Sequence, residues 1–157
     1  MIGLGTIGTR IAEICNGLGM EVCYRSRKSK DERFLCTELD DLMKKADVIF
    51  PTLAKNEETI KLITDMMLKS MKKTAIFVSI VGKIFNHDLI LQLVEENRIY
   101  GYAFETENEK MDAFVGNIWA GPELGWCTNE SFKRNSEQWV DAIIKAVKND
   151  YSNQVNI

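Results

Sequence analysis

Three glycines near the start of the chain have the spacing of a phosphate-binding turn. The segment Gly3-Leu4-Gly5-Thr6-Ile7-Gly8 reads G-x-G-x-x-G. In dinucleotide-binding proteins the first glycine makes a tight turn, the second lets the backbone approach a pyrophosphate, and the third allows close helix–strand packing. A helix that begins here would direct free N–H groups and its positive dipole end at the phosphates. Because such spacing also arises by chance, the predicted elements on either side must show whether it marks a phosphate-binding turn.

The residues around these glycines predict the strand–turn–helix setting that the motif requires. After the turn, apolar side chains recur at helical spacing, at Ile7, Ile11, Ile14, Cys15 and Leu18. Residues 20–24 then have the pattern of a second strand. Only Met1 and Ile2 precede the turn, whereas a central strand usually has about five or six residues. We therefore expect a truncated first strand, in a chain cut or begun inside it.

The tip of the second strand carries the information on cofactor choice. NAD-binding proteins place an acidic residue about 20 residues after the glycines, where it hydrogen-bonds the ribose 2′-hydroxyl. Here the corresponding residues are Ser26-Arg27-Lys28, without a carboxylate. A hydroxyl followed by cations suits a 2′-phosphate. The pattern favours NADP(H) over NAD(H), and a solvated basic loop is the alternative interpretation.

Predicted strands and helices alternate along the rest of the chain. Further strands are predicted at residues 46–50, 74–80, 99–104 and 117–120. Helices are predicted after a capping box of Thr37 and Asp40, over residues 64–71, after an Asn86 N-cap, and along Trp139, Val140, Ile143, Ile144 and Val147. This order predicts an α/β fold with a doubly wound, Rossmann-like parallel sheet of about six strands, in a single domain of residues 1–157. Core packing or a buried subunit interface is expected for Trp119, Trp126, Trp139, Phe104 and Phe114.

Composition argues against several classes of partner. The net charge of −3 opposes binding of nucleic acid through a broad basic surface. The sequence has no apolar run of the roughly 18 residues that a membrane span needs, and no secretory signal. The cysteines are widely spaced, which favours reduced thiols in a cytoplasmic protein over disulfides or a zinc site; they are Cys15, Cys23, Cys36 and Cys127. No metal site is predicted.

Several segments, taken in order, resemble the cofactor-binding domain of the D-isomer-specific 2-hydroxyacid dehydrogenases along nearly the whole chain. They are the glycine turn, Ala46-Asp47-Val48-Ile49, Asn56-Glu57-Glu58-Thr59 running to Leu62-Ile63, Met71-Lys72-Lys73-Thr74-Ala75, Arg98-Ile99-Tyr100-Gly101 and Gly121-Pro122. The β-hydroxyacid dehydrogenases share a Gly-Leu-Gly opening but lack the later segments. The resemblance implies hydride transfer between a nicotinamide and C2 of a small 2-hydroxy or 2-oxo acid. It also implies a homodimer, or a separate substrate domain that this chain does not encode.

The same resemblance assigns the cofactor contacts. The expected cofactor-binding residues are Gly3, Gly5, Thr6, Ile7, Gly8, Ser26, Arg27, Lys28, Leu53, Ala54, Ile80 and Glu105. Glu105 stands where the family has an aspartate that meets the nicotinamide amide. This substitution keeps the carboxylate and is a mild change.

The family's catalytic positions have changed. Counted without gaps, the arginine that holds the substrate carboxylate falls on Val81, and the polarising glutamate falls on Asn108, between Glu107 and Glu109. The histidine falls on Glu123, which could act as a general base if burial raised its pKa. An apolar Val81 cannot bind a carboxylate, and Lys83, two positions on, is better explained as a solvated lysine than as its substitute. His87 is expected to be a surface helix residue.

Three hypotheses therefore remain open from the sequence. The chain is the NAD(P)-binding domain of an oxidoreductase related to 2-hydroxyacid dehydrogenases, a fragment inactive by itself, with Glu123 as the candidate catalytic residue. Alternatively it is a non-catalytic dinucleotide sensor or partner-docking protein, because the arginine and histidine are lost. The third hypothesis is a decayed protein that binds nothing.

Overall fold

The structure is a computed structural model that describes residues 1–82, 84–106 and 114–152. The chain forms two compact units, Met1–Pro122 and Glu123–Ile157. Each unit is described by itself below.

The first unit is built on parallel strands. They are β1 (Cys23–Tyr24), β2 (Leu35–Cys36), β3 (Val48–Ile49), β4 (Ile76–Ser79), β5 (Gly101–Glu105) and β6 (Ile118–Gly121). One pair is β1–β2, and the other four strands are ordered β3-β4-β5-β6, with every pairing parallel. The predicted α/β fold with a parallel sheet is confirmed. The short strand β2 was not predicted from the sequence.

The predicted first strand is present only as Ile2, which joins the two sets of strands. Ile2 forms parallel bridges with Arg25, just after β1, and with Pro51, just after β3. The Ile2 N–H donates to the carbonyl of Phe50 (2.9 Å), and the Gly3 N–H donates to the carbonyl of Arg25 (2.8 Å). The strands that follow Ile2 in sequence therefore lie on both of its sides. Ile2 marks the point at which the strand order reverses.

The helices described in the first unit are α1 (Thr6–Gly17), α2 (Leu39–Lys45), α3 (Asp65–Lys69) and α4 (His87–Glu95). The predicted Asn86 cap is confirmed, because its Oδ1 accepts the Leu89 N–H (3.2 Å). The predicted capping box of Thr37 and Asp40 is wrong, because α2 has Glu38 as its N-cap, without a side-chain capping bond. Thr64 caps α3 by accepting the Met67 N–H (3.3 Å).

The main core lies between the sheet and helices α2, α3 and α4. Its most buried large side chains include Phe77, Ile49, Leu42, Met43, Leu68 and Ile90. Burying each such side chain contributes about 1.5–3 kcal/mol relative to leaving it exposed. The apolar face predicted for α1 is only partly correct. Cys15 is buried, whereas Ile7, Ile14 and Leu18 are 50–75% exposed.

The second unit contains one long helix, α5 (Asn129–Val147). Thr128 caps α5 by accepting the Ser131 N–H (3.1 Å). Apolar side chains along α5 are exposed, namely Trp139, Val140, Ile143, Ile144 and Val147. The prediction of core packing is therefore wrong for Trp119, Trp126 and Trp139, which are all exposed, while Phe104 is buried. The alternative prediction for the tryptophans, a buried subunit interface, stays a prediction. Over the described residues, none of the helices has both the length and the apolar character needed to cross a membrane.

Candidate dinucleotide-binding site

Two glycines of the turn are required by the protein's own packing. Gly3 has φ +94°, in the left-handed region, and a Cβ there would lie 2.9 Å from the carbonyl oxygen of Thr52. A Cβ on Gly8 would lie 2.6 Å from Thr52 Oγ1 and 2.7 Å from the Gly3 carbonyl oxygen. Real side chains do not approach so closely, so the turn can close against the segment after β3 only with glycine at both positions.

The middle glycine of the motif faces open space instead. A Cβ on Gly5 would meet no atom within 4 Å, and Gly5 is exposed. The packing of the described residues therefore does not by itself require glycine at this position. Gly5 is also the N-cap of α1, and it makes no side-chain capping bond.

The beginning of α1 has the donors that a phosphate group needs. The first bond of the helical pattern runs from the Thr9 N–H to the Gly5 carbonyl (2.8 Å). The N–H groups of Thr6, Ile7 and Gly8 thus precede the helical ladder, and the first turn carries no acidic side chain. Such a helix N-terminus stabilises an anion through its free donors and its dipole. The residues present therefore fit a bound pyrophosphate.

Thr52 holds the turn in place, and sequence reasoning missed it. Its N–H donates to the Ile2 carbonyl (2.8 Å), and its hydroxyl lies 3.1 Å from the Gly3 carbonyl oxygen as a donor. Thr52 comes two residues after the third predicted strand, which Pro51 ends. This position could have indicated a contact with the glycine turn, because the carboxyl ends of neighbouring parallel strands meet at one edge of a sheet.

The residues predicted to choose the cofactor lie in the loop between β1 and β2. Ser26 Oγ accepts the Ser29 N–H (3.2 Å), which closes a tight turn in this loop. The guanidinium of Arg27 forms an ion pair with the carboxylate of Glu58, a partner that sequence reasoning also missed. Both side chains are exposed, as is Lys28. The Arg25 side chain instead pairs with Glu38 (3.1 Å).

The other predicted cofactor residues follow the ends of neighbouring strands. Leu53 and Ala54 come after β3, and Ile80 comes directly after β4. Glu105 is the last residue of β5, is half-buried, and is in register with Gly121 of β6. Because the strands are parallel, these residues share the edge of the sheet that also carries the glycine turn.

Val81, which the sequence resemblance predicts at the family's arginine position, is hydrogen-bonded to the end of β4. Its N–H donates to Ser79 Oγ (3.1 Å), and the Ser79 hydroxyl is also within donor distance of the Val81 carbonyl (2.9 Å). Ser79 is only 3% exposed and Val81 is half-buried. This segment thus presents a short apolar side chain on a constrained backbone, without a fork of donors for a carboxylate.

The remaining catalytic candidates lie in the second unit or outside the described residues. Glu123 is an exposed residue at the start of the second unit. The predictions on Lys83, Glu107, Asn108 and Glu109 lie outside the described residues.

His87 has a structural environment. Its Nδ1 lies 3.0 Å from the Tyr102 hydroxyl, and its ring meets the Phe104 ring edge-on at 4.6 Å between centroids. The expectation of a surface residue is wrong, because the side chain is half-buried among aromatic rings. The imidazole packs on β5 instead of facing solvent at the start of α4.

An ionic cluster fastens the loop after β1 to α1. Arg33 contacts the carboxylate of Asp31 (2.6 Å) and that of Glu13 on α1 (3.0 Å). Hydrogen bonds from Arg33 lower the pKa of both carboxyl groups, and these carboxylates raise the pKa of the Arg33 guanidinium. The cluster helps to fix the loop that carries Ser26, Arg27 and Lys28.

A cavity of about 490 Å³ lies at the amino ends of the strands, away from the glycine turn. Met1, Cys15, Cys23 and Val48 are among its lining residues. The donors of the turn and of α1 are at the opposite edge. The dinucleotide site is therefore defined by the glycine turn and its neighbouring strand ends, not by this cavity.

Together, the parallel sheet, the reversal of strand order at Ile2 and the glycine turn after it define a Rossmann-type dinucleotide-binding domain. The family model described as "D-isomer specific 2-hydroxyacid dehydrogenase, NAD binding domain" matches residues 1–122. The chain therefore belongs to the D-isomer specific 2-hydroxyacid dehydrogenase family and contains its NAD-binding domain. The prediction of this family is confirmed.

Curated relatives agree with this assignment. The glyoxylate reductase of Pyrococcus horikoshii is 35% identical over 116 residues, which are 70% of this chain and 35% of that protein. The glyoxylate reductase of Aeropyrum pernix is 35% identical over 144 residues, which are 83% of this chain and 43% of that protein. The chain thus spans well under half the length of these two relatives.

Solved structures support the fold. An acyclic imino acid reductase in complex with NADPH and D-Arg superimposes with a TM-score of 0.87 at 23% identity, over 99% of this chain and 52% of that one. The D-lactate dehydrogenase of Aquifex aeolicus, complexed with NAD and lactic acid, gives a TM-score of 0.84 at 24% identity. The superposition covers 95% of this chain and 53% of that one. Neighbours of this fold therefore include complexes with each of the two dinucleotides.

Proposed function

We propose that this chain binds NADP(H) in preference to NAD(H) and provides the cofactor half of an oxidoreductase acting on a small 2-hydroxy or 2-oxo acid. The observation that carries the proposal is the glycine turn. Gly3 and Gly8 are required by packing, whereas Gly5 faces open space beside the free N–H groups of α1. A bound dinucleotide would supply or accept the hydride of the reaction.

Each part of the cofactor has residues to hold it under this proposal. The N–H groups after Gly5 bind the pyrophosphate, and Arg27 and Lys28 bind the 2′-phosphate. Leu53, Ala54 and Ile80 contact the dinucleotide along the strand ends, and Glu105 accepts a hydrogen bond from the nicotinamide amide. Ser26 Oγ offers an additional polar contact beside the ribose.

The substrate side of the reaction requires a cation for the substrate carboxylate, and the residue at that position in this chain is Val81. Glu123 replaces the family's histidine and is the proposed proton carrier. A substrate domain, or a homodimer partner, would have to contribute the group that binds the substrate carboxylate. We propose a cytoplasmic location and reduced thiols, since the four cysteines are free.

A second candidate function is favoured by one specific observation. Val81 stands at the carboxylate-binding position as a half-buried apolar residue, with its backbone bonded to Ser79. That arrangement suits a dinucleotide-binding sensor or docking protein that performs no hydride transfer. Turnover with glyoxylate and pyruvate, measured at 340 nm with NADPH, distinguishes the two: turnover supports the oxidoreductase, and binding without turnover supports the sensor.

The main test is a paired calorimetric titration of the chain with NADPH and NADH. The wild type should bind NADPH more tightly. Arg27→Ala should weaken NADPH by about tenfold or more, since it removes a charge-assisted bond to phosphate, and should change NADH little. Equal losses for both dinucleotides would refute the role of Arg27, and no binding of either one would refute the proposed function.

A further inference from the structure

The ion pair between Arg27 and Glu58 joins segments on opposite sides of the glycine turn. Arg27 follows β1, and Glu58 follows β3. Ile2, which leads into the turn, is bridged to Arg25 on one side and to Pro51 on the other. The ion pair therefore spans the edge of the sheet at the point where the strand order reverses, which is where a dinucleotide lies in such folds.

Glu58 is held in position by a hydrogen-bonded turn. Asn56 Oδ1 accepts the N–H groups of Glu58 and Thr59 (both 3.1 Å). In return, Thr59 Oγ1 accepts the Asn56 N–H (2.9 Å), and the Thr59 hydroxyl donates to the Ala54 carbonyl (2.6 Å). The backbone at Glu58 is thus organised by local hydrogen bonds, which reduces the number of conformations from which its carboxylate must reach Arg27.

The carboxylate of Glu58 and a 2′-phosphate compete for the same donors. A guanidinium presents one planar fork that matches a carboxylate or a phosphate. In the structure one nitrogen of that fork, Arg27 Nη1, contacts Oε2 of Glu58. A 2′-phosphate that binds Arg27 must displace the carboxylate and then tolerate a negative charge beside it, whereas a 2′-hydroxyl imposes neither requirement.

We propose that Glu58 is a specificity-determining residue that lowers the preference for NADP(H) by occupying Arg27. The inference rests on the proposed function, because it concerns the same dinucleotide site. Both side chains are about 60% exposed, and an exposed ion pair contributes only modestly. The antagonism therefore tunes the ratio of the two affinities and does not abolish the binding of either dinucleotide.

The test compares Glu58→Gln with Glu57→Gln by calorimetric titration with NADPH, NADH and adenosine 2′,5′-bisphosphate. Both variants remove one negative charge from adjacent positions. Among the described ion pairs, Glu58 engages Arg27 while Glu57 has no partner. Glu58→Gln should tighten NADPH and the bisphosphate by about 3-fold to 5-fold and leave NADH within about 1.5-fold, and Glu57→Gln should change none of them by more than about 1.5-fold.

A double-mutant cycle with Arg27→Ala shows whether Glu58 acts on NADPH affinity through Arg27. In the Arg27→Ala background, Glu58→Gln should no longer tighten NADPH, because its target cation is gone. The inference is overturned if Glu58→Gln leaves the NADPH to NADH ratio unchanged, if Glu57→Gln changes it equally, or if the effect survives in the Arg27→Ala background. If neither dinucleotide binds to the wild type or to Glu58→Gln, the proposed function fails and the inference fails with it.

Discussion

The glycine turn and the catalytic positions of this chain differ in how much of their chemistry remains. At the turn, Gly3 and Gly8 meet the backbone and side chain of Thr52, and Gly5 leaves an approach to the free N–H groups of α1. After β4, the residue that the sequence resemblance assigns to the family's carboxylate-binding position is the apolar Val81. Dinucleotide binding and substrate chemistry place separate demands on one sheet edge, so one can be lost while the other is kept.

The largest expected effect tests whether the turn is a packing requirement. Gly8→Ala should lower the free energy of unfolding by about 1–3 kcal/mol, because its Cβ would press on Thr52 Oγ1 and on the Gly3 carbonyl. Gly17→Ala is the matched control in the same helix. Nothing lies within 4 Å of its added Cβ, so it should be neutral or slightly stabilising. Urea titration measures the free energy of unfolding of both variants. Equal stability of the two variants would show that packing does not require glycine at residue 8.

Gly5→Ala separates binding from folding at the same turn. Its Cβ meets no protein atom, so the free energy of unfolding should fall by less than about 1 kcal/mol through the poorer N-cap. The methyl group would stand in the approach to the phosphate donors, so NADPH and NADH should both weaken by about tenfold or more. Calorimetry gives the affinities, and unchanged binding would exclude Gly5 from the site.

The smallest expected effect concerns the ionic cluster beside the turn. Glu13 and Asp31 have their pKa values lowered in the folded chain by Arg33, from ordinary values of 4.5 and 3.8. Their contribution to stability is therefore fully present above about pH 5 and disappears as the pH falls through the lowered folded values. Arg33→Gln should lower the urea midpoint at pH 7 more than at pH 3.

Arg98→Gln provides the control for that measurement. It removes the same charge from an exposed residue that forms no ion pair in the part of the chain that is described. The difference in midpoint between the two variants should therefore narrow as the solution is acidified. A difference independent of pH between 7 and 3 would show that the Arg33 contacts do not stabilise the loop.

Most of the fold was predictable because local patterns and tertiary packing agree. Strands β3 to β6 and helix α4 carry apolar or capping signals that the core then satisfies, as with Phe77, Ile90 and Asn86. Strand β2 was missed because Leu35 and Cys36 are exposed and form only two paired residues. Core packing of the tryptophans was predicted wrongly because amphipathic periodicity shows which face is apolar and does not show what covers it.

The candidate site was predictable where the residue type itself indicates the interaction. The glycines at residues 3, 5 and 8 indicate a phosphate-binding turn, and the cations after β1 indicate a site for an anionic group. Thr52 and Glu58 were missed as partners, since they are 49 and 31 positions from Gly3 and Arg27. His87 was also misplaced, because its aromatic neighbours Tyr102 and Phe104 come from another element.

The sequence by itself determined the alternating α/β order, the glycine spacing, the absence of an acidic residue at the tip of β1, and the changed residues Val81 and Glu123. These are local properties, since they depend on residue type and on short separations along the chain. Only the tertiary structure decided that Gly3 and Gly8 are packed against Thr52 while Gly5 is open, and that Arg27 is engaged by Glu58. Those contacts arise where parallel strands that are distant in sequence end side by side. The separation of two residues along the chain does not show that they are neighbours at such an edge.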